Sequence, residues 1–84
     1  MTTRSIDLTA DLHAEDDDGR NWSLLRDAID PRAVVPGAVL VAGVDGFWSV
    51  VRIHHVDRNG QVHFDQLDDD DPIARRVLGQ IARA

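Results

Sequence analysis

The clearest alternation of apolar and polar residues lies in the second half of the chain, where short turns separate three apolar runs. The runs cover residues 38–43, 47–56 and 61–67. The turns contain Asp45-Gly46 and Asn59-Gly60, and such dipeptides are typical of tight β-hairpins because their residues accept a positive φ. The pattern therefore predicts three strands in an antiparallel meander, with Val51 and Ile53 facing the core.

Regular patterns also occur near both ends of the chain. Residues 5–12 alternate apolar and polar side chains with period two, which predicts a half-buried strand, and residues 13–20 follow as an acidic loop. Residues 72–83 have apolar positions at helical spacing, with Asp71 as a cap and Pro72 in the first helical position. Both residue types favour a helix start, so we expect a C-terminal helix there.

A second, shorter helix is predicted over residues 21–30. Asn21 is a residue type that caps helices, and Pro31 disfavours helical geometry at the residue before it. Between them, three large apolar residues have the spacing of one helix face: Trp22, Leu25 and Ile29. A helix this short is marginal in water by itself, so we expect it to pack on the sheet.

Together these elements predict a single small α+β domain over residues 1–84. Its antiparallel sheet would have three to four strands, with a short helix before the meander and a helix after it. A curled sheet or a partly closed SH3-like barrel would bury the apolar faces of these elements. Barrels of this kind carry many functions, so the fold class alone indicates none of them.

Composition excludes several kinds of chemistry. The chain has 84 residues, no cysteine and no lysine, which excludes disulfides, thiolate catalysis, P-loops and Schiff bases. No serine lies in a nucleophile motif, so we expect a non-enzymatic protein without a cofactor. The N-terminal residues lack a secretory apolar segment, and no apolar run approaches the roughly 18 residues of a membrane span. We therefore expect a cytoplasmic protein that does not contact membranes.

Charge gives the main indication of function. Fifteen acidic residues oppose nine arginines, for a net charge of −6, and this composition is typical of a high-GC bacterial or phage genome. Eight of the fifteen acids lie in two segments: Glu15, Asp16, Asp17 and Asp18, and Asp68, Asp69, Asp70 and Asp71. Concentrated charge of one sign attracts a surface of the opposite sign over long range. The pattern predicts a protein-interaction or regulatory module whose partner has a basic surface; it fixes no oligomeric state.

Nucleic-acid binding is the alternative from a different class. Small barrels can stack bases on strand aromatics beside arginines, and the predicted strands carry such residues: Phe47, Trp48 and Phe64, with Arg52 and Arg58. The net negative charge repels a phosphate backbone, and a chain with four aromatic residues needs most of them in its core. Both considerations favour the protein partner.

The register of the second hairpin decides which histidines meet. A four-residue turn at 57–60 pairs Ile53 with Phe64 and His54 with His63, and it also places Arg52 opposite Asp65. A three-residue loop ending in a left-handed glycine pairs His55 with His63 and Val56 with Val62 instead. Both geometries are common. The first is favoured because it matches apolar with apolar and arginine with aspartate.

Four residues of this hairpin could serve as metal ligands: His54, His55, His63 and Asp65. Two imidazoles across a strand pair can hold Zn²⁺, Ni²⁺ or Cu²⁺, with the aspartate as a third ligand. No metal-binding motif such as HExxH is present, so an ordinary hairpin is favoured. A third interpretation is a pH-responsive surface, because two close imidazoles oppose each other's protonation.

Overall fold

The computed structural model describes the backbone of residues 6–83 and the side chains of residues 6–79. Its strands are β1 (Leu8–Thr9), β2 (Asn21–Leu24), β3 (Val39–Val44), β4 (Phe47–Val56) and β5 (Gln61–Gln66). They form one sheet in the order β1-β3-β4-β5-β2, in which β1 runs parallel to β3 and all other neighbours are antiparallel. One α-helix, α1 (Pro72–Arg83), follows the sheet, and two short 3-10 helices follow β2 (Leu25–Asp27 and Pro31–Ala33).

The meander and the C-terminal helix are confirmed. Strands β3, β4 and β5 differ from the predicted bounds by one residue at most, and Val51 and Ile53 are fully buried. Helix α1 has the predicted bounds, and the Asp71 carboxylate accepts hydrogen bonds from the backbone N–H groups of Ile73 and Ala74 at 2.9 and 3.3 Å. These elements depend on turn residues and a helix cap that interact with near neighbours in the chain, so the sequence predicts them.

The predicted helix over residues 21–30 is wrong. Residues 21–24 form β2, which pairs antiparallel with β5, so that Trp22 lies opposite His63. Ile29, expected on the buried face of that helix, is 72% exposed. Without β2, the backbone N–H and C=O groups along the free edge of β5 would lack partners, and pairing with β2 satisfies them.

The strand predicted over residues 5–12 is present only in part. Ser5 lies outside the described residues, and β1 contains only Leu8 and Thr9, although backbone bonds to β3 extend to Asp7 and Ala10. The alternation itself holds, because Leu8, Ala10 and Leu12 are all buried. With β1 and β2 added to the meander, the sheet has five strands rather than three to four.

The α+β class and the barrel-like curl are confirmed: the sheet forms a half-barrel. Its two edge strands, β1 and β2, are linked by side chains. The Ser23 hydroxyl donates to the Thr9 carbonyl, and the Asn21 amide donates to the carbonyls of Leu12 and Ala14 at 2.8 and 3.0 Å. Because Asn21 and Ser23 are buried, these bonds satisfy polar groups that would otherwise be costly to bury.

The two faces of the sheet are covered differently. The concave face holds the main core, in which Phe64 is fully buried with residues of β1, β3 and β4. On the other face Val41 pairs with Val50, both are buried, and α1 contacts β4 there with Ala74 almost fully buried. Helix α1 has no comparable contact with β5 or β2 among the described residues. The outer face of β5 is therefore left to the acidic loop.

Candidate functional site

A bulge in β4 reconciles the two hairpin registers. Before the bulge Ile53 pairs with Phe64, as the favoured register requires, and after it His55 pairs with His63, as the other register requires. His54 is the additional residue at the bulge. The predicted pairing of His54 with His63 is therefore wrong, because an inserted residue shifts the partners by one position while both turn and core patterns are kept.

His63 is the centre of the site. Its Nδ1 lies 2.7 Å from Asp16 Oδ2, and its Nε2 lies 2.8 Å from Asp57 Oδ2. The His63 side chain is only 11% exposed. Ionised carboxylates accept hydrogen bonds and cannot donate them, so both contacts are satisfied together when both ring nitrogens carry a proton. We call this arrangement of His63 between Asp16 and Asp57 the His63 bridge.

The two aspartates of the His63 bridge belong to turns of the same design. Asp16 Oδ1 accepts from the backbone N–H groups of the residues two and four positions later, and Asp57 Oδ1 does the same. In both turns a glycine three residues after the aspartate has a positive φ, +81° at Gly19 and +78° at Gly60. Each aspartate thus uses one oxygen to order its own turn and the other to bind His63.

The electrostatics of the bridge follow from these contacts. Burial alone would lower the pKa of His63, but the hydrogen bonds to Asp57 and Asp16 outweigh it and raise the pKa above its ordinary value of 6.5. Burial alone would raise the pKa of Asp16, but the bonds from His63 and from two backbone amides lower it below 3.8. The bond from His63, followed by backbone bonds, also lowers the pKa of Asp57. Charged hydrogen bonds therefore hold the turns to the sheet.

Sequence reasoning missed Asp57 and misjudged Asp16. Asp16 was predicted to be one of eight partner-binding carboxylates, but its side chain is only 14% exposed and binds His63 within the fold. The available signal was the repeated motif of aspartate, any residue, aspartate or asparagine, then glycine, at residues 16–19 and 57–60. The motif could not predict the His63 bridge, because the pairing of β2 with β5 that brings Asp16 to His63 joins residues far apart in the sequence.

The predicted metal ligands each interact with other side chains instead of converging on one point. Asp65 forms an ion pair with Arg20 at 3.3 Å, and both nitrogens of His63 are bonded to carboxylates. His54 Nδ1 lies 2.7 Å from His55 Nδ1 in an exposed position. Within residues 6–83, no group of three or more histidine, aspartate or glutamate side chains is arranged to hold a metal ion. These residues therefore do not form a common ligand set.

Six of the other seven predicted partner-binding carboxylates are exposed. In the part of the chain that the structure describes, six of them have no side-chain hydrogen bond or ion pair: Glu15, Asp17, Asp18, Asp68, Asp69 and Asp70. Asp71 instead caps α1. We call these six residues the acidic surface. Their charges are free to act on other molecules.

The two halves of the acidic surface begin at the same end of the sheet. Asn21 begins β2 just after the acidic loop, and Gln66 ends β5 just before residues 68–70. The Gln66 amide donates to the Asn21 side-chain carbonyl at 2.9 Å. Because β2 and β5 are antiparallel neighbours, the start of β2 lies beside the end of β5. The acidic segments that precede β2 and follow β5 are about fifty residues apart in sequence, but they join the sheet at adjacent positions.

An exposed apolar pair lies near the acidic loop. Phe47 and Val44 pair across the β3–β4 hairpin and are 52% and 45% exposed. The ring of His13 stacks on Phe47, with centroids 5.3 Å apart and planes 16° apart. His13 precedes Glu15 by two residues, so this apolar pair adjoins one half of the acidic surface.

The aromatic stacking platform of the nucleic-acid hypothesis is not formed. Phe64 is fully buried in the core, and Phe47 and Trp48 are successive residues of β4 that point to opposite faces of the sheet.

Comparison of the chain with protein-family models, curated proteins and solved structures finds no match. Among the helices of residues 6–83, none combines the length and apolar character needed to cross a membrane.

Proposed function

We propose that this protein is a cytoplasmic interaction module, built on an SH3-like half-barrel, that binds a partner protein with a basic surface. It acts without catalysis and without a cofactor. The observation that carries the proposal is the hydrogen bond between Asn21 and Gln66, because these residues lie where the two acidic segments join the sheet. Charges that are separate in the sequence therefore act as one surface.

The chemistry of the acidic surface suits steering. Exposed charge pairs contribute only about 0.2–1 kcal/mol each, but a concentrated field of one sign raises association rates and selects partners of the opposite sign. Asp17 and Asp18 follow Asp16, whose carboxylate is fixed by two backbone amides and by His63. An ordered turn presents its charges at defined positions, which reduces the entropy lost on binding.

Affinity requires an anchor as well as charge. Binding energy is concentrated in a few residues, and aromatic side chains are enriched among them. Phe47 is the most exposed of the phenylalanine and tryptophan side chains that the structure describes, and it lies beside Val44 and His13. We assign this apolar pair to the contact region and the acidic surface to its charged rim, an arrangement found in many protein interfaces.

The test is capture from a lysate of the organism that encodes the protein, with variants of equal charge. The immobilised wild-type chain is compared with Asp17→Asn/Asp18→Asn and with the control Asp27→Asn/Asp30→Asn. Asp27 and Asp30 lie near the 3-10 helices, beyond the opposite end of β2, and asparagine can still cap at residue 30. We expect a basic protein that the wild type and the control retain and the Asp17/Asp18 variant loses. Equal retention by all three chains, or retention of nucleic acid strengthened by loss of the acids, would contradict the proposal.

A further inference from the structure

We propose that the tip of the acidic loop, residues 16–19, is held on the sheet only while His63 is protonated, so that pH controls whether this half of the acidic surface is preformed. The consequence for partner binding rests on the proposed function. The attachment of the tip does not, because it is a property of the His63 bridge. Asp16 and Asp57 approach the two ring nitrogens at 2.7 and 2.8 Å, and the Asp16 contact joins the tip of the loop to the sheet.

Loss of one proton changes this geometry. A neutral imidazole has one N–H group and one lone pair, so one of the two carboxylates would then face a lone pair at hydrogen-bond distance. That contact is repulsive, and the two negative charges also lose the cation between them. One carboxylate must therefore move away from the ring or bind water instead.

Asp16 is the carboxylate that leaves. Asp57 lies in the turn that joins β4 directly to β5, the strand that carries His63. Apart from the His63 contact, the turn of Asp16 is attached to the other described residues only at its base, through the isolated bridge between Glu15 and Asn21, the bonds of the Asn21 amide and the ion pair of Arg20 with Asp65. The base of the acidic loop thus stays fixed while its tip, residues 16–19, is released.

The other groups that the structure describes around His63 do not bond to its ring nitrogens, so the protonation of His63 itself controls the loop. From β4, His55 stacks on the His63 ring with centroids 4.3 Å apart, and His55 is bonded in turn to His54. From β2, the cross-strand neighbour is the uncharged Trp22. Asp65, two residues along the same face, is paired with Arg20 and lies opposite Arg52. The carboxylates that bond to the ring nitrogens are those of Asp16 and Asp57.

The direction of the pKa shifts supports this inference. Because the pKa of His63 is raised above 6.5 and those of Asp16 and Asp57 are lowered below 3.8, the bridge is complete over the acidic to near-neutral range. Release then follows as pH rises through the raised pKa of His63. A released loop has to be ordered again when a partner binds, so the complex should dissociate faster on the alkaline side.

NMR of the full chain, without a partner and with a metal chelator present, tests the inference. Backbone order parameters of residues 17–19 are measured from about pH 5 to about pH 9, together with the imidazole titration of His63. We expect order parameters of about 0.85 at acidic pH and below about 0.6 at alkaline pH, with the change centred on the midpoint of the His63 titration. Order parameters that stay constant while His63 titrates would overturn the inference.

Three variants complete the test. His63→Gln should leave residues 17–19 disordered at every pH, whereas the matched control His13→Gln, which changes the histidine stacked on Phe47, should keep the wild-type profile. Asp57→Asn preserves an oxygen for its turn, and its amide N–H can donate to the Nε2 lone pair of a neutral His63. The titration midpoint of His63 should therefore move to lower pH, and residues 17–19 should stay ordered on the alkaline side of the wild-type midpoint. If His63→Gln fails to fold, Asp57→Asn decides, because loss of order in residues 17–19 at the wild-type midpoint would contradict the inference. These results concern the loop alone; a partner bound equally well without Asp17 and Asp18 would contradict only the proposed function.

Discussion

His55 and His63 lie face to face across the β4–β5 hairpin, with ring centroids 4.3 Å apart and ring planes 9° apart. This stacking exists because the bulge at His54 shifts the hairpin register by one residue. The shift leaves the core pairing of Ile53 with Phe64 intact and places His63 between Asp16 and Asp57. A local irregularity of one strand therefore builds the charged centre of the protein.

The first prediction concerns stability and pH. The pKa of His63 is raised above 6.5, so the stabilisation from the bridge is fully present below pH 6.5 and is lost as pH rises through the raised value. The lowered pKa values of Asp16 and Asp57 give stabilisation that is present above pH 3.8 and is lost as pH falls through the lowered values. The difference in urea midpoint between wild type and His63→Gln should be largest between pH 3.8 and 6.5. A difference that grows on the alkaline side would contradict this prediction.

The second prediction concerns the close approach of β3 and β4. Gly43 has a φ of +140°, and a Cβ atom there would lie 2.4 Å from the Phe47 carbonyl oxygen and 2.6 Å from Trp48 Cα. Both contacts are with backbone, which cannot move aside easily, so Gly43→Ala should reduce the free energy of unfolding by about 3 kcal/mol or more. The control Gly46→Ala has a φ of +85° with open space around it and should cost about 1–2 kcal/mol. If chemical denaturation shows the same loss of unfolding free energy for both variants, the close approach of β3 and β4 does not require glycine at residue 43.

The third prediction concerns Asn21, which joins the loop, β2 and β5. Its amide donates to two backbone carbonyls, and its oxygen accepts from Gln66. Asn21→Ala leaves these groups without their partner in a buried position and should lower the free energy of unfolding by about 2 kcal/mol. Gln66→Ala removes one of the three bonds at an exposed position and should cost about 0.5 kcal/mol. Similar costs for both variants would mean that Asn21 is not the buried junction described here.

How much of this could be predicted from sequence depends on the range of the interactions. The turns at Asn59-Gly60 and Asp45-Gly46 and the Asp71 cap involve near neighbours, and they fix the meander and α1. Strand β2 pairs with residues about forty positions away. Its alternation is the reverse of the usual one, because the polar residues Asn21 and Ser23 are buried and the apolar residues between and after them are only partly buried. The helical spacing of Trp22, Leu25 and Ile29 was therefore coincidental.

The candidate site could be predicted only in part, because some of its interactions are also long-range. The exposed carboxylates and the cross-hairpin histidines could be located from the sequence, but the partner of the histidines could not. Asp16 reaches His63 through a separation of 47 residues, and a bulge cannot be assigned when two regular registers each satisfy half of the pattern. The repeated turn motif at residues 16–19 and 57–60 is the one local feature that points to this arrangement.

The fourth prediction separates the anchor from the fold. Phe47 is 52% exposed, so Phe47→Ala should change the free energy of unfolding by about 1 kcal/mol or less. If Phe47 is an interface anchor, the same change should weaken partner binding by about 2 kcal/mol or more. Ile29→Ala is the control, because Ile29 is also a large exposed apolar residue but lies beyond β2, away from the acidic surface. Calorimetry with the captured partner should show loss of affinity for Phe47→Ala only; equal affinities would remove Phe47 from the interface.

The central claim, that the acidic surface steers a basic partner, is tested most directly by association rates of the captured protein across ionic strength. Wild type, Asp17→Asn/Asp18→Asn and Asp27→Asn/Asp30→Asn are compared from about 0.01 M to about 1 M salt, over which the Debye length falls from about 30 to about 3 Å. Asp16 is left unchanged because it anchors the loop. We predict that the Asp17/Asp18 variant associates more slowly at low salt and converges with the other two chains at high salt. Association rates that are independent of salt, or equal in both variants at every salt concentration, would contradict the account.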